Sequence, residues 1–126
     1  MVRIDKDLVA ASATPLVLGI LAEGESYGYA ILKKVNELSA GEMRWTDGML
    51  YPLLHRLERL GYVQASWRVA ASGRRRKHYA ITQAGLELLA DRRRQWAVVT
   101  DALKRVWAEA AAAMRPALAM VAEPTR

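Results

Sequence analysis

TDGMLYPLLHRLERLGYVQASWRVAASGRRRKHYAIT, residues 46–82, carries two hydrophobic rhythms in succession. Leu50, Leu53, Leu54 and Leu57 recur at helical spacing and form one apolar stripe, with Leu60 just beyond. Thr46 or Asp47 can cap the start of this helix, and Gly61 stops it from the position after the cap. The period then falls from 3.6 to 2. YVQASWRVA and RRRKHYAIT alternate well enough for two strands, joined by a turn at Ala71-Ser72-Gly73. A helix followed by a basic hairpin is the closing part of a winged helix-turn-helix. In that design the helix enters a DNA major groove, and the hairpin reaches along the backbone or into the minor groove.

The flanking sequence supplies the rest of the design. Residues 8–22, LVAASATPLVLGILA, read as an apolar helix that Thr14-Pro15 can kink or restart. GES at 24–26 is a turn with Ser26 as N-cap, and YGYAILKKVNELS is a second amphipathic helix built on Ile31, Leu32, Val35 and Leu38. AGEMRW is a connector. From Thr82 a long helix runs roughly to Pro116, about 50 Å at 1.5 Å per residue. The predicted fold is mainly α with a β-hairpin (α+β). Residues 1–82 form a winged helix-turn-helix domain, 83–116 a C-terminal dimerisation helix, and 117–126 a flexible tail.

Apolar residues make up 52% of the 126, enough for a core. Cysteine is absent, which excludes disulfides and thiolate metal sites. The N-terminus lacks a signal-peptide pattern and no stretch approaches a membrane span, so a cytoplasmic protein is expected. The net charge is +6, and residues 64–82 hold five basic side chains and no acid. Cations concentrated in this way point to a polyanion partner.

With the leucines inward, Gly48, Pro52, His55, Arg56 and Arg59 face outward and Tyr51 lies on a flank. Gly48 lets the backbone approach phosphate or base edges, and the free N–H groups of the first turn can meet a phosphate oxygen. Pro52 presses on the carbonyl of Gly48, which can yield. Tyr51, His55 and Arg56 offer hydroxyl, base-edge or phosphate contacts. The plainer alternative is an ordinary packed helix with Tyr51 half buried. In the hairpin, strand alternation puts Arg74 and Arg76 on one face and Arg75 and Lys77 on the other, with Arg68 adding to the cluster. The tip, Gly73 to Arg75, together with Lys77 is favoured for DNA; the alternative is a solvated basic hairpin.

GESYGYAILKKV, GMLYPLLHRLERLGYV and SGRRRKHYAITQAGLELL together resemble the PadR family of bacterial transcription regulators. The resemblance rests on Tyr27-Gly28-Tyr29, Gly48-Met49-Leu50-Tyr51-Pro52, Gly73-Arg74, Tyr79 and Thr82, in order and spacing. It covers residues 14–90, and Met49 stands where the family usually has threonine. It implies a homodimeric repressor, relieved in some members by small molecules. It also implies that Tyr27, Thr46, Gly48, Met49, Tyr51 and Pro52 belong to the DNA-binding set. The short chain looks like the family's compact branch, whose dimers form through the C-terminal and first helices; Leu8 falls in such an interface.

In the C-terminal helix Trp96, Val99, Leu103, Val106, Ala110 and Ala113 repeat at spacings of three and four, a heptad seam widened by Trp107 and Met114. A two-fold dimer would cover that face and pair two recognition helices on a palindromic operator in double-stranded DNA. Trp96 and Val99 can form a pocket for a small aromatic effector at the interface; alternatively Trp96 and Trp107 fill the dimer core. An enzyme is disfavoured. Neither His55 nor His78 has an acid or nucleophile at triad or metal-site spacing, so no catalytic residue, metal or cofactor is expected. The remaining rival is a winged-helix protein-interaction module that binds no specific DNA, for which a neutral or acidic wing would be expected.

Overall fold

A computed structural model describes the backbone over residues 3–122 and the side chains over residues 3–115. The elements follow as α1 (Lys6–Ala22), β1 (Ser26–Tyr27), α2 (Gly28–Leu38), α3 (Asp47–Arg59), β2 (Val63–Val69), β3 (Arg75–Ile81) and α4 (Gln83–Ala122). The chain forms two compact units, Met1–Arg92 and Arg93–Arg126. Among the described residues no helix is long and apolar enough to cross a membrane.

The leucine stripe of α3 is the centre of the first unit. Leu50, Leu53, Leu54 and Leu57 are all buried, in one cluster with Val17, Leu18 and Leu21 of α1, Ile31 and Val35 of α2, and Val63 and Tyr79 of the strands. Helix α1 runs unbroken through Pro15, which has no N–H to offer the carbonyl four residues back. The connector before α3 contributes to the core as well. Trp45 is only 5% exposed, and its indole N–H has no partner among the described residues. A buried aromatic in an irregular segment has no periodic neighbours to announce it.

Helices α2 and α3 end in the same hydrogen-bonded turn. After α3 the Gly61 amide donates to the Glu58 carbonyl (3.0 Å) and the Tyr62 amide to the Leu57 carbonyl (2.9 Å), with Gly61 at φ +83°. This is the Schellman arrangement, and the glycine adopts the left-handed conformation at no steric cost. After α2 the Gly41 amide donates to Asn36 (2.7 Å) and the Ala40 amide to Glu37 (3.3 Å). There the left-handed residue is Ala40, at φ 51°. An L-residue with a Cβ is strained in that position.

The sheet has three strands in the order β1-β3-β2, where the sequence pattern gives only the β2–β3 hairpin. Ser26 pairs with Tyr79 and Tyr27 with His78. Ser26 is therefore a strand residue rather than the N-cap of α2; Tyr27 holds the cap position and makes no side-chain capping bond. Two residues are too few to show a period, and what makes them a strand is the open edge of β3. In the hairpin Trp67 lies opposite Lys77 and Val69 opposite Arg75. The turn closes through the Gly73 amide to the Ala70 carbonyl and the Ala70 amide to the Arg74 carbonyl (2.8 Å each). Gly73 sits at φ +85°, a left-handed residue that matches the twist of the strands.

Thr82 joins the hairpin to α4. Its amide donates to the Tyr62 carbonyl (3.0 Å), its Oγ1 donates to the Gly61 carbonyl (2.6 Å), and that oxygen accepts from the Gly85 amide (3.1 Å). It thus caps α4 while holding the turn that ends α3. Helix α4 passes Pro116, where its end was expected, and continues to Ala122. The Ala-rich run at 108–114 propagates helix strongly enough that one proline does not end it. The expected tail is accordingly helical to residue 122; residues 123–126 lie outside the described residues.

Candidate nucleic-acid interface

The outward face of α3 divides between two concave surfaces. Tyr51 and His55 turn toward the hairpin and, with residues 27–29, line a groove of about 510 Å³. Its other wall is Trp67 and the run Arg74, Arg75, Arg76 and Lys77. Four cations therefore face this groove, and no carboxylate is among its described lining residues. Met49, Pro52 and Arg56 instead line a broader groove on the opposite flank, against the start of α1 and residues 42–45. Thr46, Gly48 and Gly73 are exposed and line neither. The Thr46 hydroxyl makes no capping bond; its carbonyl accepts from the Met49 and Leu50 amides (3.1 Å each).

The cations differ in what already holds them. Arg76 stacks over the Tyr27 ring at 4.5 Å, and the other neighbour of that ring is His78, 5.2 Å between centroids. Arg68 is paired with Glu25 at 2.8 Å, and His78 Nδ1 lies 3.9 Å from the same carboxylate. Lys77 lies 3.6 Å from Glu58 and over the Tyr79 ring. Arg75 rests on Trp67, 4.8 Å from the ring centroid. Among the described residues only Arg74 and Arg75 of this run have neither an acidic partner nor a place against the tyrosines of the sheet. The alternation expected from the sequence holds for residues 75–77, whereas Arg74 belongs to the turn and not to β3.

The phenol of Tyr79 is pushed above its ordinary value of 10.0, by burial first and then by the neighbouring Glu58 carboxylate and Tyr51. His78 and Glu25 lie 53 positions apart and share no sequence motif; the pairing of β1 with β3 brings Glu25, just before β1, beside His78. Among the described residues no group of three or more His, Cys, Asp and Glu could hold a metal ion.

The family model of the transcriptional regulator PadR-like family matches residues 17–91. The chain belongs to that family. A PadR-like transcriptional regulator of Bacillus cereus superposes with a TM-score of 0.73 at 26% identity, covering 81% of this chain and 97% of that one. A PadR family regulator of Eggerthella lenta gives 0.69 at 32% identity, covering 80% and 86%. Transcriptional regulator YqjI of Escherichia coli K12 is 27% identical over 89 residues, 71% of this chain but only 41% of that longer protein. The family and the solved neighbours are transcriptional regulators and not enzymes.

In this PadR-like regulator two separate sequence motifs meet at one contact. A Cβ placed on Gly28 would fall on the Tyr51 hydroxyl and within 2.6 Å of its Cζ. The start of α2 must therefore be glycine for the tyrosine of α3 to lie where it does. Tyr51 keeps 37% of its surface exposed at the edge of the basic groove. Trp67 is a groove residue that the sequence pattern does not single out, and Tyr29 and Arg76, named there only as a motif residue and a member of the basic cluster, line the groove as well. Trp67 could have been found by its phase, since in the hairpin it shares a face with Arg75 and Lys77.

Proposed function

We propose that this PadR-like regulator is a homodimeric, sequence-specific DNA-binding repressor. The observation that carries the reading is the groove between α3 and the hairpin, walled by four cations and no described carboxylate. A surface of this sign and shape suits a phosphate backbone on one side and base edges on the other. Residues 1–82 bind the duplex. Tyr51, His55 and Arg56 approach the major groove, Thr46, Gly48, Met49 and Pro52 bring the backbone of α3 against it, and Tyr27 steadies the flank. Gly73, Arg74 and Arg75 reach the flanking backbone, and Lys77 joins them by exchanging Glu58 for a phosphate.

Residues 83–116 pair with a second copy, as in the compact branch of the family. Val99, Leu103, Val106 and Trp107 are exposed in the single chain, Trp107 by 61%, and Trp96 and Ala110 are half buried. Leu8 of α1 is also exposed. Apolar faces of this extent are characteristic of interfaces. Two copies related by a two-fold axis read a palindromic operator. A planar aromatic effector bound against Trp96 and Val99 releases the repressor by favouring a dimer whose recognition helices no longer match the groove spacing.

Fluorescence anisotropy with a duplex from upstream of its own gene, against a shuffled duplex, tests the reading. Tighter binding to the former is expected, with Arg75→Ala flattening the dependence on log salt by about one unit per lost phosphate contact. Equal weak binding to both duplexes, or a monomer in sedimentation, would refute it.

A further inference from the structure

Trp67 is 59% exposed, an unusual position for an indole on a strand next to a hydrophobic core. Burial within its own unit does not account for it. It stands on β2 opposite Lys77, faces the basic groove, and carries the Arg75 guanidinium 4.8 Å above its ring. Val69, opposite Arg75 on the same face, is also exposed. The part of the hairpin nearest its tip thus offers an aromatic plate, an aliphatic side chain and a cation together. Arg75 has no described acidic partner, so the indole is what limits its swing.

From this geometry we infer that Trp67 is a DNA-contacting and positioning residue of the wing. It presents its exposed edge to the sugar–phosphate backbone and holds Arg75 extended toward a phosphate. The inference rests on the DNA-binding reading of the groove and assigns to one apolar residue a part of the affinity that charge alone would be given. A long arginine gains most from a preset pose, since an unsupported one loses rotamer freedom on binding. An indole also stacks on a guanidinium better than phenylalanine does.

The full-length protein and the two duplexes named above suffice for the test. Trp67→Ala should weaken binding to both duplexes by roughly fivefold to tenfold, the scale of a stacking contact plus a released arginine. Trp67→Phe should recover most of the loss. Arg75→Ala should cost less in the Trp67→Ala background than in the wild type, because the two act as a unit. Duplex should quench tryptophan emission in the wild type, and Trp67→Phe should lose that quenching although Trp45, Trp96 and Trp107 remain. An unchanged thermal midpoint separates these effects from misfolding, and Trp67→Phe serves as the folded reference if Trp67→Ala falls. Trp67→Ala binding as the wild type does, additive losses with Arg75→Ala, or quenching retained in Trp67→Phe would overturn the inference while leaving DNA binding intact. A wild type that binds neither duplex would overturn the parent reading and this inference with it.

Discussion

Replacing Gly85 by alanine and replacing Gly19 by alanine are the same chemical change in two helices, and they should move stability in opposite directions. In an exposed helix interior, glycine to alanine stabilises by about 1 kcal/mol. At Gly19 in α1 nothing lies within 4 Å of the added Cβ, so that gain should be realised. At Gly85 the Cβ would run into the Tyr62 carbonyl oxygen and come within 2.6 Å of Ile81 Cγ1. The oxygen is backbone and already accepts from Thr82, so it cannot swing away. Overpacking of this kind costs about 1–3 kcal/mol. Relieving it by moving the start of α4 stretches the hydrogen bonds that tie Thr82 to Tyr62, Gly61 and Gly85, each worth about 1 kcal/mol. Set against the propensity gain, Gly85→Ala should be less stable by about 1–2 kcal/mol, a fall of about 5–8 °C in Tm. Thermal and urea denaturation at matched protein concentration would measure both variants, since coupled assembly makes Tm depend on concentration. A Gly85→Ala protein as stable as the wild type, or two variants shifted in the same direction, would refute the reasoning.

Three further outcomes are expected. Gly28→Ala should displace Tyr51 and weaken duplex binding, and Tyr51→Ala in the same chain should recover its thermal stability because the clash disappears with the ring; anisotropy and thermal melts check the pair. Ala40→Gly should stabilise the fold by about 0.5–1 kcal/mol, since relief of the left-handed strain exceeds the added entropy of the unfolded chain, and urea unfolding reads this directly. The folded-state pKa of Tyr79 lies above its unfolded value, so the unfolded chain gives up that proton first. Stability should hold below pH 10.0 and fall as pH rises beyond it, and Tyr79→Phe should flatten that decline in a pH series of melts.

Much of the architecture follows from local pattern. The spacing of Leu50, Leu53, Leu54 and Leu57 allows only one face of α3 to be buried, and the change to period 2 after Gly61 marks where pairing must begin. The basic run was equally plain, because charge is read residue by residue. Local pattern also specifies Gly61 and Gly73 as left-handed positions, where a side chain is penalised whatever surrounds it.

Other features exist only through the tertiary structure. Ser26–Tyr27 becomes a strand because β3 has an open edge, and Trp45 is core because α1, α2 and α3 close over a connector. Gly28 and Gly85 have no special φ; they are demanded by a ring and a carbonyl from distant segments, and no window of sequence contains both partners. The same holds for the cations. The chain lists Arg68, Arg74, Arg75, Arg76 and Lys77 as equals. Folding pairs Arg68 with Glu25, Lys77 with Glu58, Arg76 with Tyr27 and Arg75 with Trp67. Sequence by itself determined which elements form, because helix and strand periods are properties of neighbours along the chain. Which side chains are held and which remain exposed was decided only when separate segments met, because an ion pair, a stack or a clash depends on distance through space.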